Sequence, residues 1–385
     1  MRVCHVLESA GGGTGQVVVD LVRAGIAAAD DVTVIYAPDR AEASFVESIT
    51  RIEGVEVVEL PMRRDIGTAD VVAAWRLRRH LRRLGPFDVV HGHSSKAGAL
   101  VRLTGIGMRS TRKVYTPHCF VTMDPSASPV YFHVEKLLAR LSDAIVVVSN
   151  IERDHAVRRL GIAGRKLALI TNGIGHNASA ERTAIRMHLG FDDDDVVLGF
   201  VGRLAPQKNP GRLIDAFCMA QRKHRSLRLV IVGDGPMRAD VEDQITRYGL
   251  GRLVSCLGHR SGRDVMAGFD ALVCSSDFEG FPVVYLEALA AGVPIITTPV
   301  GGTRECVVPG RTGFIAGGHT AERMAQAISE FASLSLPTRR HMSELCRAHA
   351  HRFRANDAAS ATRDLYLRLV GKGTFGDRGQ FNVAS

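Results

Sequence analysis

Two carboxylates and two cations carry the most specific chemistry in this sequence. The segment Ser275-Ser-Asp-Phe-Glu279-Gly-Phe-Pro-Val-Val-Tyr-Leu-Glu287-Ala-Leu-Ala-Ala-Gly-Val-Pro294 sets Glu279 just ahead of a helix start and Glu287 about five residues inside the helix. Gly280 permits a sharp turn, and Pro282 suits a first helical turn. Five helical residues rise roughly 7.5 Å, so the two acids can hold hydroxyls on two different sugars of one ligand. Earlier, Gly202-Arg-Leu-Ala-Pro-Gln-Lys-Asn209 places Arg203 and Lys208 around one turn. A guanidinium fork beside a compact ammonium suits a diphosphate. A third segment, Gly11-Gly-Gly-Thr-Gly15, opens the first helix. Its glycines let backbone amides approach an anion at the positive helix end, although it has neither Rossmann spacing nor a Walker lysine.

These residues need a scaffold that brings strand ends together, and the pattern supplies one. Short β-branched runs alternate with helix-period stretches along the chain. The expected strands are Arg2–Leu7, Asp31–Tyr36, Val55–Leu60, Asp88–Gly92, Lys113–Thr116, Ala144–Val148 and Leu167–Ile170. After a polar break near 172–195 the rhythm restarts with Val196–Val201, Leu227–Val232, Leu253–Leu257, Ala271–Cys274 and Pro294–Thr298. Gln16–Ala28, Val71–Leu84, Val134–Leu141 and about Ala355–Val370 read as helices. Such alternation predicts an α/β fold with parallel sheets covered on both faces. It divides into residues 1–175 and 176–354, a helix at 355–370 and a flexible tail at 371–385. Ligands of such sheets bind at the C-terminal strand ends, where Gly12, Gly13, Arg203, Lys208 and Glu279 stand.

Composition narrows the classes. A chain of 385 residues, 45% hydrophobic and 23% charged, is an ordinary globular protein of two domains. The seven cysteines are scattered, with no C-x-x-C pair, and read as reduced core thiols of a cytoplasmic protein. No apolar run approaches the length of a membrane span. Lys plus Arg exceed Asp plus Glu by 49 to 40, giving +9. That excess does not point to nucleic acid, because recognition motifs and interleaved aromatics are missing. Part of it gathers as Arg76, Arg78, Arg79, Arg82 and Arg83 on one helix, whose buried stripe is Ala74, Leu77, Leu81 and Leu84. The arginines then form an outer face, either simply solvated or meeting anionic lipid.

Two candidate metal motifs read better as something else. Asp192-Asp-Asp-Asp195 contains Asp-x-Asp but precedes a strand, so a solvated turn is expected. His91 and His93 end a strand without a nearby third ligand, and a packed or hydrogen-bonded pair is expected.

Taken in series, these segments resemble the retaining glycosyltransferases of family 4. Asp88-Val-Val-His-Gly-His-Ser-Ser-Lys-Ala-Gly98, Val114-Tyr-Thr-Pro-His118, Val147-Val-Ser149, Ile170-Thr-Asn-Gly173 and Ile231-Val-Gly-Asp-Gly-Pro236 extend the likeness over the chain to about residue 370. The most specific element is Glu279 and Glu287 separated by seven residues and followed by Ala-Gly-Val-Pro294. The resemblance implies the GT-B fold, with two Rossmann-like doubly wound domains facing across a cleft, the first for the acceptor and the second for the nucleotide sugar.

The resemblance also implies roles. Arg203 and Lys208 match the basic pair that neutralises the leaving diphosphate. Glu279, with the amides of Gly280 and Phe281, matches the carboxylate gripping donor-sugar hydroxyls. Glu287 matches the acid on the ribose. His118 matches the histidine near the reacting carbon, and Gly12–Gly13 the turn facing the phosphates. Cys119 stands where relatives usually carry glycine, and Gly-Thr-Gly-Gln16 replaces Gly-Gly-x-Glu.

The implied reaction moves a hexosyl unit from a UDP- or GDP-sugar to a glycan acceptor, with retention and without metal or cofactor. The closest likeness in style is to enzymes of bacterial exopolysaccharide, capsule or O-antigen assembly. An undecaprenyl-diphosphate-linked acceptor and peripheral attachment to the cytoplasmic face of an anionic inner membrane follow as expectations, with His93, Arg79 and Arg83 as acceptor or membrane contacts. A GT-B sugar-nucleotide epimerase is the alternative.

Overall fold

Near-continuous runs of valine, isoleucine and leucine, lacking a polar face, suit strands buried on both sides. The computed structural model describes residues 1–63, 65–175, 182–192 and 194–371. Of the stretch 371–385, read as a tail, all but Gly371 lies outside the described residues, as do 176–181 and Asp193. The chain divides into two compact units, Met1–Gly175 with Ala355–Ser385, and His176–Arg354.

The first unit has seven parallel strands. They are β1 (Arg2–Leu7), β2 (Asp31–Tyr36), β3 (Val55–Glu59), β4 (Val89–His93), β5 (Arg112–Thr116), β6 (Ala144–Val147) and β7 (Leu167–Leu169), in the order β3-β2-β1-β4-β5-β6-β7. The chain leaves β1 in one direction and returns through β4 in the other, so the crossover helices occupy opposite faces. On one face Val18, Val19 and Val22 of the helix Gly12–Ala27 pack on Val32 and Val34 of β2. On the other, Ala73, Leu77 and Leu81 of the helix Ala69–Leu84 pack with Val90, Ala97 and Leu100. The helix Ala355–Leu369 adds Leu365 and Tyr366 to a core containing Val3, Val89 and Val114. Its Arg363 donates to both carboxylate oxygens of Asp30, at 2.8 and 3.1 Å.

The second unit repeats the plan with β8 (Val196–Val201), β9 (Leu227–Val232), β10 (Val254–Cys256), β11 (Ala271–Cys274), β12 (Ile295–Thr297) and β13 (Gly313–Ile315), ordered β10-β9-β8-β11-β12-β13. Strand direction is uniform within each sheet, so both are parallel and doubly wound, as the alternation predicts. In each, the winding reverses between two central strands: β1 and β4 in the first, β8 and β11 in the second. The crevice beyond those strand ends is the favoured ligand position of such sheets.

Several local expectations are corrected. The helix expected at 134–141 runs Pro129–Leu138 instead, because Ser128 accepts from the Val130 amide and Pro129 fills its first turn. β13 was not foreseen. The buried stripe of Ala69–Leu84 begins at Ala73, with Ala74 only partly covered. Arg78 is not on the outer face: its Nη1 donates to the carbonyls of Thr104 and Ile106 at 2.6 and 2.9 Å, at the C-terminal end of the helix Ser95–Thr104. All seven cysteines are free, but Cys256 is exposed rather than in the core. Among the described residues no helix is long and apolar enough to cross a membrane.

Candidate active site

In the second unit, the loops after β8 and β11 meet at the reversal point. Gly202–Asn209 leaves β8, forms a short turn at Pro206–Lys208 and enters the helix Pro210–Gln221. Asn209 lies in the left-handed region at φ 45° and accepts from the Arg212 amide at 3.1 Å, closing that helix start. This places Lys208 beside the β11 loop. Lys208 Nζ donates to Glu279 Oε1 at 2.6 Å, and Ser276 Oγ donates to the same oxygen at 2.8 Å. Gln207 Nε2 donates to the Phe278 carbonyl at 3.0 Å, and the Asp277 amide donates back to the Gln207 carbonyl at 2.9 Å. Arg212 and Asn209 both donate to Asp277, so the two loops are tied at several points.

Glu279 is buried, yet a lysine, a serine and a glutamine amide surround its carboxylate, which offsets the cost of desolvating the charge. Behind it the Val300–Gly302 loop approaches closely. A Cβ on Gly301 would stand 2.2 Å from the Gly280 carbonyl, so only glycine fits. The helix itself spans Val283–Ala291, and Pro282 occupies its N-cap rather than its first turn; no side chain caps that end. Phe281 is buried, its ring 5.9 Å from Phe353.

Two expected members differ in surroundings. Arg203 is exposed and, among the described residues, makes no ion pair. Glu287 is the fifth residue of its helix, and Arg263 Nε donates to its Oε1 at 2.8 Å. Arg263, Ser276 and Gln207 were not singled out from sequence. Position 207 lies inside the basic motif and position 276 three residues before Glu279, so spacing could have suggested them.

In the first unit the helix Gly12–Ala27 starts without a side-chain cap, and Gly12 lies at φ +54° with open space where a Cβ would point. The candidate histidines cluster at the C-terminal ends of β4 and β5. His91 is not half of an isolated pair. In the parallel register His5 of β1 faces it, and ring nitrogens of His5, His91 and His93 all lie within 4.8 Å of one another, a set that could hold a metal ion. As they stand, hydrogen bonds engage these nitrogens. His91 meets Tyr366 Oη at 2.5 Å and Thr116 Oγ1 at 2.7 Å; His93 Nε2 lies 3.0 Å from His5 Nδ1, and His93 Nδ1 lies 3.1 Å from His118 Nε2.

Burial keeps these imidazoles neutral. Desolvation lowers His5 to about 4 and holds His91 and His93 well below the ordinary range, with neighbouring histidines adding to the effect. His118 keeps part of its surface exposed, at the rim of a cavity of about 30 Å³ shared with His91, His93 and Thr116. Protein atoms crowd its ring densely enough to lower it to about 4 as well.

The turn after β5 is strained. His118 has φ 56° and Cys119 φ 143°, two consecutive non-glycine residues in the left-handed half of the map. The chain therefore keeps the tight turn despite Cys119. Glu152 sits beneath it: its Oε2 accepts from the Val148 amide at 2.7 Å, and its own amide donates to Ser149 Oγ. Burial raises Glu152 to about 7, while nearby amides of Val148, Phe120 and Cys119 pull the other way.

On the helix Ala69–Leu84, Arg76, Arg79, Arg82 and Arg83 are exposed together with Val71, Val72 and Trp75. The Arg79 guanidinium lies over the Trp75 ring at 5.8 Å. Val130, Val134 and Leu137 form a second exposed apolar stripe on Pro129–Leu138. Of the acidic run expected as a solvated turn, Asp192 and Asp194 are exposed, but Asp195 is buried and pairs with Arg228 at 2.9 Å.

Comparison with known proteins fits this frame. Residues 11–177 match the family description Glycosyltransferase Family 4, and residues 181–349 match Glycosyl transferases group 1. The glycosyltransferase EpsD of Bacillus subtilis is 28% identical over 307 residues, covering 76% of this chain and 77% of EpsD. The Anabaena protein HepE, solved with UDP and glucose, superposes with a TM-score of 0.81 at 21% identity, over 95% of this chain and 99% of that one. WaaG, a glycosyltransferase involved in lipopolysaccharide biosynthesis, does so with a TM-score of 0.74 at 17% identity, over 95% and 99%. The two family matches together span almost all of both sheets, and the chain belongs to the group 1, family 4 glycosyltransferases.

Proposed function

We propose that the protein transfers a hexosyl unit from a UDP- or GDP-sugar to a lipid-diphosphate-linked glycan, with retention at the anomeric carbon, in cell-surface polysaccharide assembly. The observation that carries this reading is the meeting of Lys208, Ser276 and Glu279 at the reversal point of the second sheet, with Arg203 on the same loop. A nucleoside diphosphate docked beyond β8 and β11 brings its phosphates to Lys208 and Arg203. The bond from anomeric carbon to phosphate oxygen breaks as negative charge builds on that diphosphate. Two positive charges on one loop stabilise this charge, so the reading invokes no metal ion and no cofactor. Glu279, with the amides of Gly280 and Phe281, takes sugar hydroxyls, and Glu287 takes the ribose. In the first unit, Gly12 and Gly13 offer backbone amides suited to an anion, and His118 offers a polar contact suited to a sugar.

Related proteins support the donor class: HepE was solved with UDP and glucose. WaaG, by its description, works in lipopolysaccharide biosynthesis. The epimerase alternative is not favoured, because both family matches are to transferases.

The acceptor side rests on the exposed arginine face. Val71, Val72 and Trp75 beside Arg76, Arg79, Arg82 and Arg83 combine apolar insertion with attraction to anionic headgroups. In this reading Arg79 and Arg83 hold the protein on the cytoplasmic face of the inner membrane; His93, buried with both ring nitrogens engaged by His5 and His118, does not itself touch the acceptor. Incubating the protein with UDP- and GDP-sugars and lipid-diphosphate acceptors tests the proposal: a glycosylated lipid supports it, and an epimerised donor without transfer overturns it.

A further inference from the structure

The first unit contains a chain of imidazoles that a donor contact at His118 does not by itself require. His5 on β1 reaches His93 on β4, and His93 reaches His118 beyond β5, through nitrogen–nitrogen distances of 3.0 and 3.1 Å. His93 uses both ring nitrogens in this chain. His91 packs beside it, tilted by 33° with ring centroids 4.0 Å apart, but its own nitrogens go to Tyr366 and Thr116.

A neutral imidazole has one N–H and one lone pair. The two contacts therefore admit only two proton arrangements. In one, His5 Nδ1–H donates to His93 Nε2, His93 Nδ1–H donates to His118 Nε2, and the remaining His118 nitrogen, Nδ1, carries a proton. In the other, His118 Nε2–H donates to His93 Nδ1, His93 Nε2–H donates to His5 Nδ1, and His118 Nδ1 is a bare acceptor. Any mixed arrangement places two protons, or two lone pairs, face to face in a buried site, at the cost of an unmade hydrogen bond.

We infer that His5 and His93 are positioning residues that fix the tautomer of His118, so that a residue two imidazoles away decides whether His118 Nδ1 donates to or accepts from its ligand. The inference deepens the transferase reading and rests on it for the identity of that ligand, but the coupling between rings does not. The local fold supports a positioning role. His118 sits in a strained turn at φ 56°, where its direction is set by the backbone, and the relay adds control over which nitrogen bears the proton. Tyr366 and Thr116 hold His91 in place, so His93 packs against a fixed ring on one side.

The test is nitrogen NMR on the full-length protein labelled with 15N-histidine, with signals assigned from single variants. The wild type should give one protonated and one unprotonated ring nitrogen for each of His5, His93 and His118, each in a single tautomer. Couplings should be visible across the His5–His93 and His93–His118 hydrogen bonds. His5→Phe should change the tautomer ratio of His118 without touching it, and His5→Gln, whose amide can still meet His93, should restore most of the wild-type pattern. In the transfer assay His5→Phe should lower kcat several-fold, leave donor KM within about twofold, and respond to the glutamine rescue.

Mixed tautomers at His118 in the wild type, or missing couplings, overturn the inference whatever the activity of the variants. Unchanged His118 signals in well-folded His5→Phe overturn it too. Signals that shift when the protein is treated with EDTA assign the cluster to a metal ion instead. If the relay is present but no sugar is transferred, the functional reading fails and the coupling stands.

Discussion

Lys208 Nζ lies 2.6 Å from Glu279 Oε1 although 71 residues separate them, because one leaves β8, the other leaves β11, and these strands flank the point where the second sheet reverses. The pair is a cation and an anion each suited to a different part of one ligand. A diphosphate would draw on the lysine, and sugar hydroxyls on the glutamate, so a donor replaces their mutual contact with two new ones. Lys208→Ala should therefore cost about 3 kcal/mol in the transition state, roughly a hundredfold in kcat/KM, on the scale of one lost preorganised contact. Glu279→Ala should abolish transfer while the protein remains folded. Steady-state kinetics beside a thermal melt check both, and wild-type turnover in Glu279→Ala would remove that residue from the site.

Cys119 at φ 143° is costly for a side chain that glycine would lack. Cys119→Gly should raise stability by about 1 kcal/mol, since relieved strain exceeds the added freedom of the unfolded chain. Calorimetry reads the change. A lower melting temperature would mean that the thiol packing outweighs the strain.

The buried histidines set a pH dependence whose sign can be worked out. His5, His118 and His155 are lowered to about 4 by burial, and His91 and His93 are lowered well below 6.5. Between about pH 4 and 6.5 the unfolded chain binds protons that the folded chain refuses, so stability falls as pH falls, by up to about 1.4 kcal/mol per pH unit for each histidine. Glu152, raised to about 7, works in the opposite direction, because its folded form stays protonated as the unfolded carboxyl ionises above 4.5. Five histidines outweigh one glutamate. Urea midpoints should drop steadily from pH 6.5 to 4.5, and His118→Phe should make that slope shallower. A flat profile over that range would contradict neutral burial.

Fold and site differ in how far the sequence revealed them. Strands such as Val196–Val201 and Leu227–Val232 were legible to the residue because a short, nearly continuous apolar run rich in valine and isoleucine has few other uses. β13 was hidden: it is three residues long, begins at Gly313 and follows Pro309-Gly-Arg, which reads as a turn. Lys208 and Glu279 could be named as candidates from residue type and spacing; for Ser276 and Gln207 spacing was the only signal, since serine and glutamine have many roles in loops. His5 was missed because a lone histidine in a strand reads as core. Only the pairing of β1 with β4 brings it opposite His91.

The exposed arginine face gives a separable prediction. Reversing charge with Arg79→Glu and Arg83→Glu together should weaken sedimentation with anionic vesicles by at least about thirtyfold, at roughly 1 kcal/mol for each basic residue near the surface and more for reversal. Trp75→Ala should weaken it further through lost insertion, while turnover on a short soluble acceptor stays unchanged. Equal binding by all variants would leave the face as ordinary solvated surface.

The most direct test of the central claim is calorimetric titration of the full-length protein and its Lys208→Ala variant with UDP, GDP, uridine and guanosine. The account predicts that one of the two diphosphates binds the wild type, that its nucleoside binds far more weakly, and that Lys208→Ala reduces diphosphate affinity between about tenfold and a hundredfold, one lost charge-assisted contact being worth roughly 1.5–3 kcal/mol. Equal diphosphate affinity in the two proteins, or binding of neither diphosphate to the wild type, would contradict a donor site between β8 and β11.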